Sequence, residues 1–356
     1  MTANPRLIID KTKLRHNLRA IKGMLKPRGI SLALVTKVFC ADAPLVGLVV
    51  EEGVDYLADS RLENLSAVAE FGIPRLLLRV AMPSEADLVV EHSELSLQSE
   101  ISTIRRLGEA AEKRGKKHSV VLMVDVGDLR EGVFFRNRDL LLETARTVMA
   151  YPWLQLLGVG VNLTCYGAVI PDEHNLGELI AAAQWLRQQT GLPLPFVSGG
   201  NSSSLGLVHS GGAPAGITNL RIGEAFVLGN DTAKCEVMEG LYGDAFTLSA
   251  ELVEVQYKPS LPLGTSGANA FGEKVQYEDI GEHWRGILAI GRQDTIAENL
   301  CPLDDNVRIL GASSDHLLVD LGPSTSYKVG QELQFTVDYG NLLRAYTSRY
   351  VAKEYL

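Results

Sequence analysis

The sequence predicts an α/β domain followed by a mainly-β domain. Two patterns carry that expectation. Through roughly the first 230 residues, short apolar runs of strand type alternate with amphipathic stretches of helical period. After "AFTLSAELVEVQY" the strand-like runs are separated only by turn residues, as in "PSLPLGTSGANAFG", "RGILAIG", "NVRILGASSDHLLVDLG" and "ELQFTVDYG". The expected division is 11–230 for the α/β domain, with 231–356 plus 1–10 for the β domain.

Taken in order, "RLIID" is a short strand that either domain could recruit. "DKTKLRHNLRAIKGMLK" sets Leu14, Leu18, Ile21 and Leu25 at helical spacing, with Asp10 as a plausible N-cap. Eight strand candidates follow: "ISLALVT", "VDYLA", "RLLLRV", "ELSLQ", "SVVLMVDV", "LQLLGVGVNL", "LPFVS" and "TNLRI". The helical connectors include "SRLENLSAVAEFG", where Ser60 and Glu63 have capping-box spacing and Gly72 can end the helix in the left-handed conformation. Others are "ISTIRRLGEAAEKRG", "NRDLLLETARTVMA" and "LGELIAAAQWLRQQTG". Right-handed crossovers pair such strands in parallel, and eight is the number that closes a (β/α)8 TIM-type barrel. An open doubly wound sheet shows the same alternation.

Composition narrows the function. At 356 residues, 46% hydrophobic and 22% charged, the chain has the balance of a soluble globular protein. A net charge of -9 without a basic run disfavours nucleic acid and anionic membrane as partners. The four cysteines form no C-x-x-C pair, which argues against a zinc site or a disulfide framework, and no metal site is expected. The N-terminus lacks a signal-peptide core and no apolar run reaches membrane-spanning length, so a reducing cytoplasm is the expected home.

Chemistry-bearing residues gather where the strands would end, which is the active face of a barrel. Lys37 ends the first strand, and Val38 and Phe39 resume apolar sequence at once. Read alone, the segment fits a lysine reaching water along its stem. A lysine held inside is also the usual Schiff-base residue. "VDVGDLREG" brings Asp125 and Arg130 after the fifth strand, and "NLTCYG" brings Asn162, Cys165 and Tyr166 after the sixth. "SGGNSSS" follows the seventh with Asn201, Ser202 and Ser203, and "RIGEA" ends the eighth with Arg221, Gly223 and Glu224. Paired glycines and hydroxyls make "SGGNSSS" an anion cradle, and Gly223 allows a second close backbone approach. Either loop could equally be a plain surface turn, and either arginine an ordinary surface one. The P-loop spacing and the dinucleotide G-x-G-x-x-G are both missing.

In chain order, "ALVTKVFCADA", "VDVGDLREGV", "SGGNSSSL", "LRIGEAFVLG" and "VRILGASSDHLLVDLG" resemble the alanine racemase-like, fold-type III family of pyridoxal 5'-phosphate (PLP) enzymes. The similarity is greatest to its ornithine racemase-like branch, which also shows stretches like "LAIGRQDT" and "YGNLLRAYTS". It covers nearly the whole chain. The resemblance implies a barrel followed by a β domain, and a homodimer whose active sites join one subunit's barrel to the other's β domain. It further implies Lys37 as the aldimine lysine, with Asn201, Ser202, Ser203, Gly223, Glu224 and Tyr339 about the phosphate. Arg130 would lie near the phenolic oxygen and the substrate carboxylate, Asn162 near the ring, and Arg221 at the pyridine nitrogen.

Decarboxylases of the same fold place a glutamate at that nitrogen. An arginine can only donate there, which favours prompt reprotonation at Cα and hence racemisation. The chain also departs from the family pattern. The phosphate-binding tyrosine shortly after the lysine corresponds to about Ala41, the ring histidine to Asn162, and the tyrosine expected within "LGTSGANAFG" is missing. Racemisation needs a proton donor or acceptor on each face of Cα. Lys37 serves one face. For the other, Asp315 and His316 in "SSDHL" rank first, ahead of Ser314, Cys165 and Tyr166. His316 could instead be a solvated turn histidine and Asp315 a turn cap.

The expected activity is thus racemisation of a free amino acid, with ornithine or lysine as candidates. A diamino acid would want a carboxylate near its distal amine, and Asp128, Glu131 and Glu224 are candidates. The alternatives are a decarboxylase of this fold and a non-catalytic PLP-binding homeostasis protein. The absence of a "C-E-S-G-D"-like turn speaks against the first, and the C-terminal β domain against the second.

Overall fold

The computed structural model describes residues 4–268, 271, 272, 274 and 276–356. The chain divides into two compact units, Lys13–Gly243 and Met1–Thr12 with Asp244–Leu356.

The first unit is a closed ring of parallel strands. Ser31–Val35, Tyr56–Asp59, Arg75–Leu77, Leu95–Gln98, His118–Asp125, Leu154–Gly160, Phe196–Ser198 and Asn219–Ile222 pair in sequence order, and the eighth returns to the first. Each coincides with one of the eight runs read as strands to within one residue, Asp59 and His118 lying just outside theirs, so the barrel is the topology and the open sheet is not. Ala33, Val35, Ala58, Leu76, Leu95, Leu97, Val121, Met123 and Phe196 form one buried cluster, with Tyr56, Leu78 and Leu157 packed against it. Alternate residues of the paired strands build this filled interior.

Closure depends on a missing side chain. Gly158 pairs with Phe196, and a Cβ there would stand 1.7 Å from the Phe196 carbonyl oxygen. The seventh strand can approach the sixth this closely only at glycine.

Helices fill the crossovers. Lys11–Leu25 buries Leu14, Leu18, Ile21 and Leu25, the stripe that the spacing predicts. Ile101–Arg114 ends at left-handed Gly115, and Glu173–Thr190 opens on a capping box formed by Asp172 and Asn175. The box expected from Ser60 and Glu63 does not form. The helix Leu62–Ala67 is preceded by Arg61, whose backbone N–H donates at 2.9 Å to the Asp59 carboxylate instead. Gly72 does adopt the left-handed conformation, closing the short turn Ala69–Phe71.

The unit boundary falls between Gly243 and Asp244, with the stretch after 230 on the barrel side. Buried Asn17 holds the intervening stretch on the barrel: its Nδ2 donates to the carbonyls of Phe226 at 3.1 Å and Tyr242 at 2.8 Å.

The second unit is built on the long strand Phe246–Pro259. Arg6–Ile9 and Glu332–Thr336 flank its first half, and Glu282–Leu288 pairs with its second half. Arg6–Ile9 also pairs in parallel with Ala352–Tyr355, so the N-terminal strand belongs to this unit. Leu7, Ile9, Phe246, Leu248, Leu252, Phe335 and Leu342 are among its buried residues. One helix, Tyr339–Thr347, stands where strand-like sequence had been expected to dominate, and the Asp338 side chain caps it by accepting from Asn341 N.

Candidate active site

Lys37 opens a single 3-10 turn, Lys37–Phe39, one residue past the first barrel strand. Val38 and Phe39 are buried, and the Phe39 ring meets Phe226 edge-on at 6.1 Å. The apolar pair thus anchors the turn that carries the ammonium. Cys40 and Ala41 then take left-handed conformations, with φ of 49° and 52°. For non-glycine residues this costs on the order of 1 kcal/mol each, so the surroundings must hold the turn firmly. Ala41 N donates to Thr36 O at 3.2 Å, and Asp42 N to Phe39 O at 3.0 Å. The Thr36 hydroxyl donates at 2.6 Å to Asp59 at the end of the second strand.

Asp59 is fully buried. Burial pushes its pKa up, against hydrogen bonds from Thr36, Arg61 N and Asn64 that favour the carboxylate. Neither Thr36 nor Asp59 was expected in the site from sequence. The usable signal was a hydroxyl directly before the lysine and an acid at the end of the neighbouring strand.

The rim of the fifth, sixth and eighth strands forms a connected polar chain. Arg221 is 2% exposed, far from the surface arginine that residue type alone would suggest. Its Nη2 donates to Val161 O at 2.7 Å and to Asn162 Oδ1 at 2.6 Å, and its Nη1 donates to Ser198 Oγ. Every one of these acceptors is neutral. Burial lowers the Arg221 pKa to about 10, with the more distant Glu131 charge opposing. Asn162 Nδ2 donates to Glu131, and Arg130 donates to the same carboxylate through Nε and Nη2. Burial works against the Arg130 charge, but the Glu131 hydrogen bond and charge outweigh it and leave its pKa raised.

Asp128 welds the fifth- and sixth-strand loops together, its carboxylate accepting from Thr164 N, Tyr166 N and Val169 N at 3.0–3.2 Å. Glu224 accepts from Asn230 Nδ2 at 3.1 Å. Asp128, Glu131 and Glu224, the candidates for a distal amine, are therefore all engaged within the protein.

The seventh-strand loop is less uniform a cradle than three hydroxyls suggest. Ser204 Oγ donates to Gly199 O at 2.7 Å, and Ser202 Oγ accepts from Gly223 N at 3.3 Å and Ala225 N at 3.2 Å. Two hydroxyls thus hold the loops. The third, Ser203 Oγ, is buried without a hydrogen-bond partner among the described residues. Asn201 accepts from Ser203 N at 2.9 Å and donates to Leu163 O at 3.0 Å and Cys165 Sγ at 3.3 Å, tying this loop to the sixth-strand loop. A Cβ on Gly223 would stand 3.1 Å from Val35 Cβ, so the eighth-strand turn packs tightly on the first strand.

The remaining candidates lie in the other unit. Asp315 and His316 are exposed in the turn between Arg308–Ala312 and Leu317–Asp320, where His316 N donates to Ser313 Oγ at 3.1 Å. Tyr339 is the first residue of its helix. Of "LGTSGANAFG", residues 269 and 270 lie outside the described residues. Among the described residues no group of His, Cys, Asp and Glu is placed to hold a metal, and no helix is long and apolar enough to cross a membrane.

A parallel barrel with a strand-end lysine, a buried arginine facing neutral acceptors and a hydroxyl-lined loop defines a class. Residues 9–231 match the family model for the alanine racemase N-terminal domain, and the chain belongs to that family. It is 47% identical over 353 residues to the ornithine racemase of Acetoanaerobium sticklandii, covering 99% of each chain. It is 35% identical to the lysine racemase of Thermotoga maritima, covering 99% of this chain and 98% of that one. The crystal structure of alanine racemase from Streptomyces lavendulae superposes with a TM-score of 0.78 at 19% identity, over 100% of this chain and 98% of that one, which establishes the shared fold.

Proposed function

We propose that this amino-acid racemase uses PLP to invert Cα of a free basic amino acid, ornithine or lysine. Its likeness to an ornithine racemase and a lysine racemase over nearly the full chain supports that substrate class. The single observation that best carries the cofactor is buried Arg221, whose hydrogen bonds all run to neutral oxygens. A charge so placed suits an electron-rich ring nitrogen. The unpartnered, buried Ser203 hydroxyl likewise suits a phosphate oxygen.

PLP, when bound, supplies an aldehyde that condenses with amines and a ring that accepts the electron pair left at Cα. Lys37 would hold it covalently and then, as a free amine, take or return the Cα proton on one face. Ser202, Ser203, Asn201, the backbone at Gly223 and Glu224, and Tyr339 would bind the phosphate. Arg130 would orient the substrate carboxylate, and Asn162 would flank the ring. Arg221 keeps its proton at neutral pH and can only donate, which favours return of the proton to Cα over loss of carbon dioxide. Asp315 and His316, contributed by a second copy in a homodimer, would serve the opposite face. We place the enzyme in the cytoplasm.

The test follows solvent deuterium into Cα across a panel of amino acids while carbon dioxide is measured. Exchange with loss of optical rotation, greatest for ornithine or lysine, is expected; gas release would instead mark a decarboxylase. Borohydride should fix the cofactor on Lys37, and an unchanged visible band in Lys37→Ala would refute the covalent assignment.

A further inference from the structure

Glu131 has no part in the reaction proposed above, yet Arg130 and Asn162 both donate to it and Arg221 reaches it through Asn162. Arg130 donates to its carboxylate twice and Asn162 Nδ2 once, while Asn162 Oδ1 accepts from Arg221 at 2.6 Å. A carboxylate only accepts and a guanidinium only donates, so the Asn162 amide between them has one permitted orientation. The side chain of Glu131 is 17% exposed. The other charged and titratable groups acting on the two guanidiniums are Asp128 on the same loop and Cys165 after the sixth strand. Asp128 spends its oxygens on backbone N–H groups, which leaves Glu131 as the carboxylate bonded into the chain between the two cations.

Resting on the proposed function, we propose that Glu131 is a positioning residue: it orients the Arg130 guanidinium directly and the Arg221 guanidinium through the Asn162 amide, so that two cations from different strands act as one fixed pair. The cluster of two arginines and one carboxylate keeps a net positive charge for the substrate carboxylate. Glu131 is thereby committed to the arginines and is not the acceptor for a distal ammonium.

The experiment uses cofactor-loaded enzyme and compares Glu131→Gln, Glu131→Asp and Asn162→Ala with the unsubstituted protein. Its first readout is the pH midpoint of the visible band, which titrates with the nitrogen joining Lys37 to the cofactor. Loss of one negative charge disfavours the protonated nitrogen, so Glu131→Gln should lower the midpoint by roughly one pH unit. Glu131→Asp, which keeps the charge, should return it towards the original value. In steady-state kinetics Glu131→Gln should raise KM and lower kcat, each by about tenfold, because both arginines are loosened. Asn162→Ala removes the amide that joins Glu131 to Arg221 but leaves Arg130 on Glu131, and should lower kcat with little change in KM. An unmoved midpoint with unchanged KM in Glu131→Gln overturns the proposal, as does an equal response of the Gln and Asp variants. A rise in KM for Asn162→Ala matching that of Glu131→Gln overturns the bridge. Should Glu131→Gln fail to fold, Asn162→Ala still decides: an unchanged kcat there, or a rise in KM of about tenfold, overturns the proposal. If the unsubstituted enzyme shows neither band nor racemisation, the proposed function itself fails, and that is visible before any variant is made.

Discussion

The Thr36 hydroxyl donates a 2.6 Å hydrogen bond to the Asp59 carboxylate, binding the end of the first barrel strand to the end of the second. The turn bearing Lys37 begins at the next residue. Since Cys40 and Ala41 are left-handed, that turn needs such a tether to persist. Replacing Thr36 by Val removes the donor and leaves a buried acceptor short of a partner. We expect Thr36→Val to lose about 1–3 kcal/mol in denaturant unfolding. Because burial raises the Asp59 pKa, its ionised form works against folding at neutral pH, and the opposition fades as pH falls through the folded pKa. Asp59→Asn keeps an acceptor without the charge and should therefore lose less than Thr36→Val at pH ~7. A larger loss for Asn would show that the charge itself stabilises the turn.

Ser203 separates binding from stability. Its hydroxyl is buried without a partner among the described residues, so Ser203→Ala should leave cofactor-free unfolding within about 0.5 kcal/mol of the original. Affinity for PLP, followed by absorbance titration, should fall roughly tenfold through loss of one hydrogen bond to a charged group. Undiminished affinity would remove Ser203 from the phosphate site.

Gly158 tests barrel closure. A methyl group 1.7 Å from the Phe196 carbonyl forces the sixth and seventh strands apart. Gly158→Ala should cost about 3 kcal/mol or prevent folding, with loss of near-ultraviolet circular dichroism. A melting temperature equal to the original would mean the strands have room to separate.

The β unit should weaken in acid through Glu332. Arg6 donates to both its carboxylate oxygens at 2.6 Å, and these bonds, opposed by burial, lower its pKa from 4.5 to about 2. A carboxylate whose folded pKa is depressed stabilises the fold above its unfolded pKa, and that stability is lost between pH 4.5 and about 2. Glu332→Gln should be less stable at pH ~7 by on the order of 1 kcal/mol, the partial exposure of the pair limiting the effect. The gap should close towards pH ~2. A constant gap across that range would assign the loss to packing.

Much of the barrel was legible before any coordinates. Each of its strands is a short apolar run bounded by turn residues, and periodicity is a local property that survives in one dimension. The gathering of polar residues on one rim was legible for the same reason, since strand ends identify loops. The pairing inside the rim was not. In sequence Glu131 is a candidate partner for a distal amine, and nothing in its neighbourhood announces Asn162, 31 positions along the chain. The Ser60 and Glu63 spacing pointed to a cap, but the Asp59 carboxylate accepts from the Arg61 N–H through one oxygen and from Thr36 through the other.

The sequence by itself determined the alternation that closes a parallel barrel, the lysine at the end of the first strand and the membership of "RIGEA" and "SGGNSSS" in facing loops. Tertiary structure alone decided which hydroxyl stays unpartnered, which carboxylate is spent on which donor, and that Arg221 is sealed among neutral oxygens. The physical reason is range: strand and helix follow from neighbours a few residues apart, whereas burial and hydrogen-bond assignment depend on groups that meet only once the ring has closed.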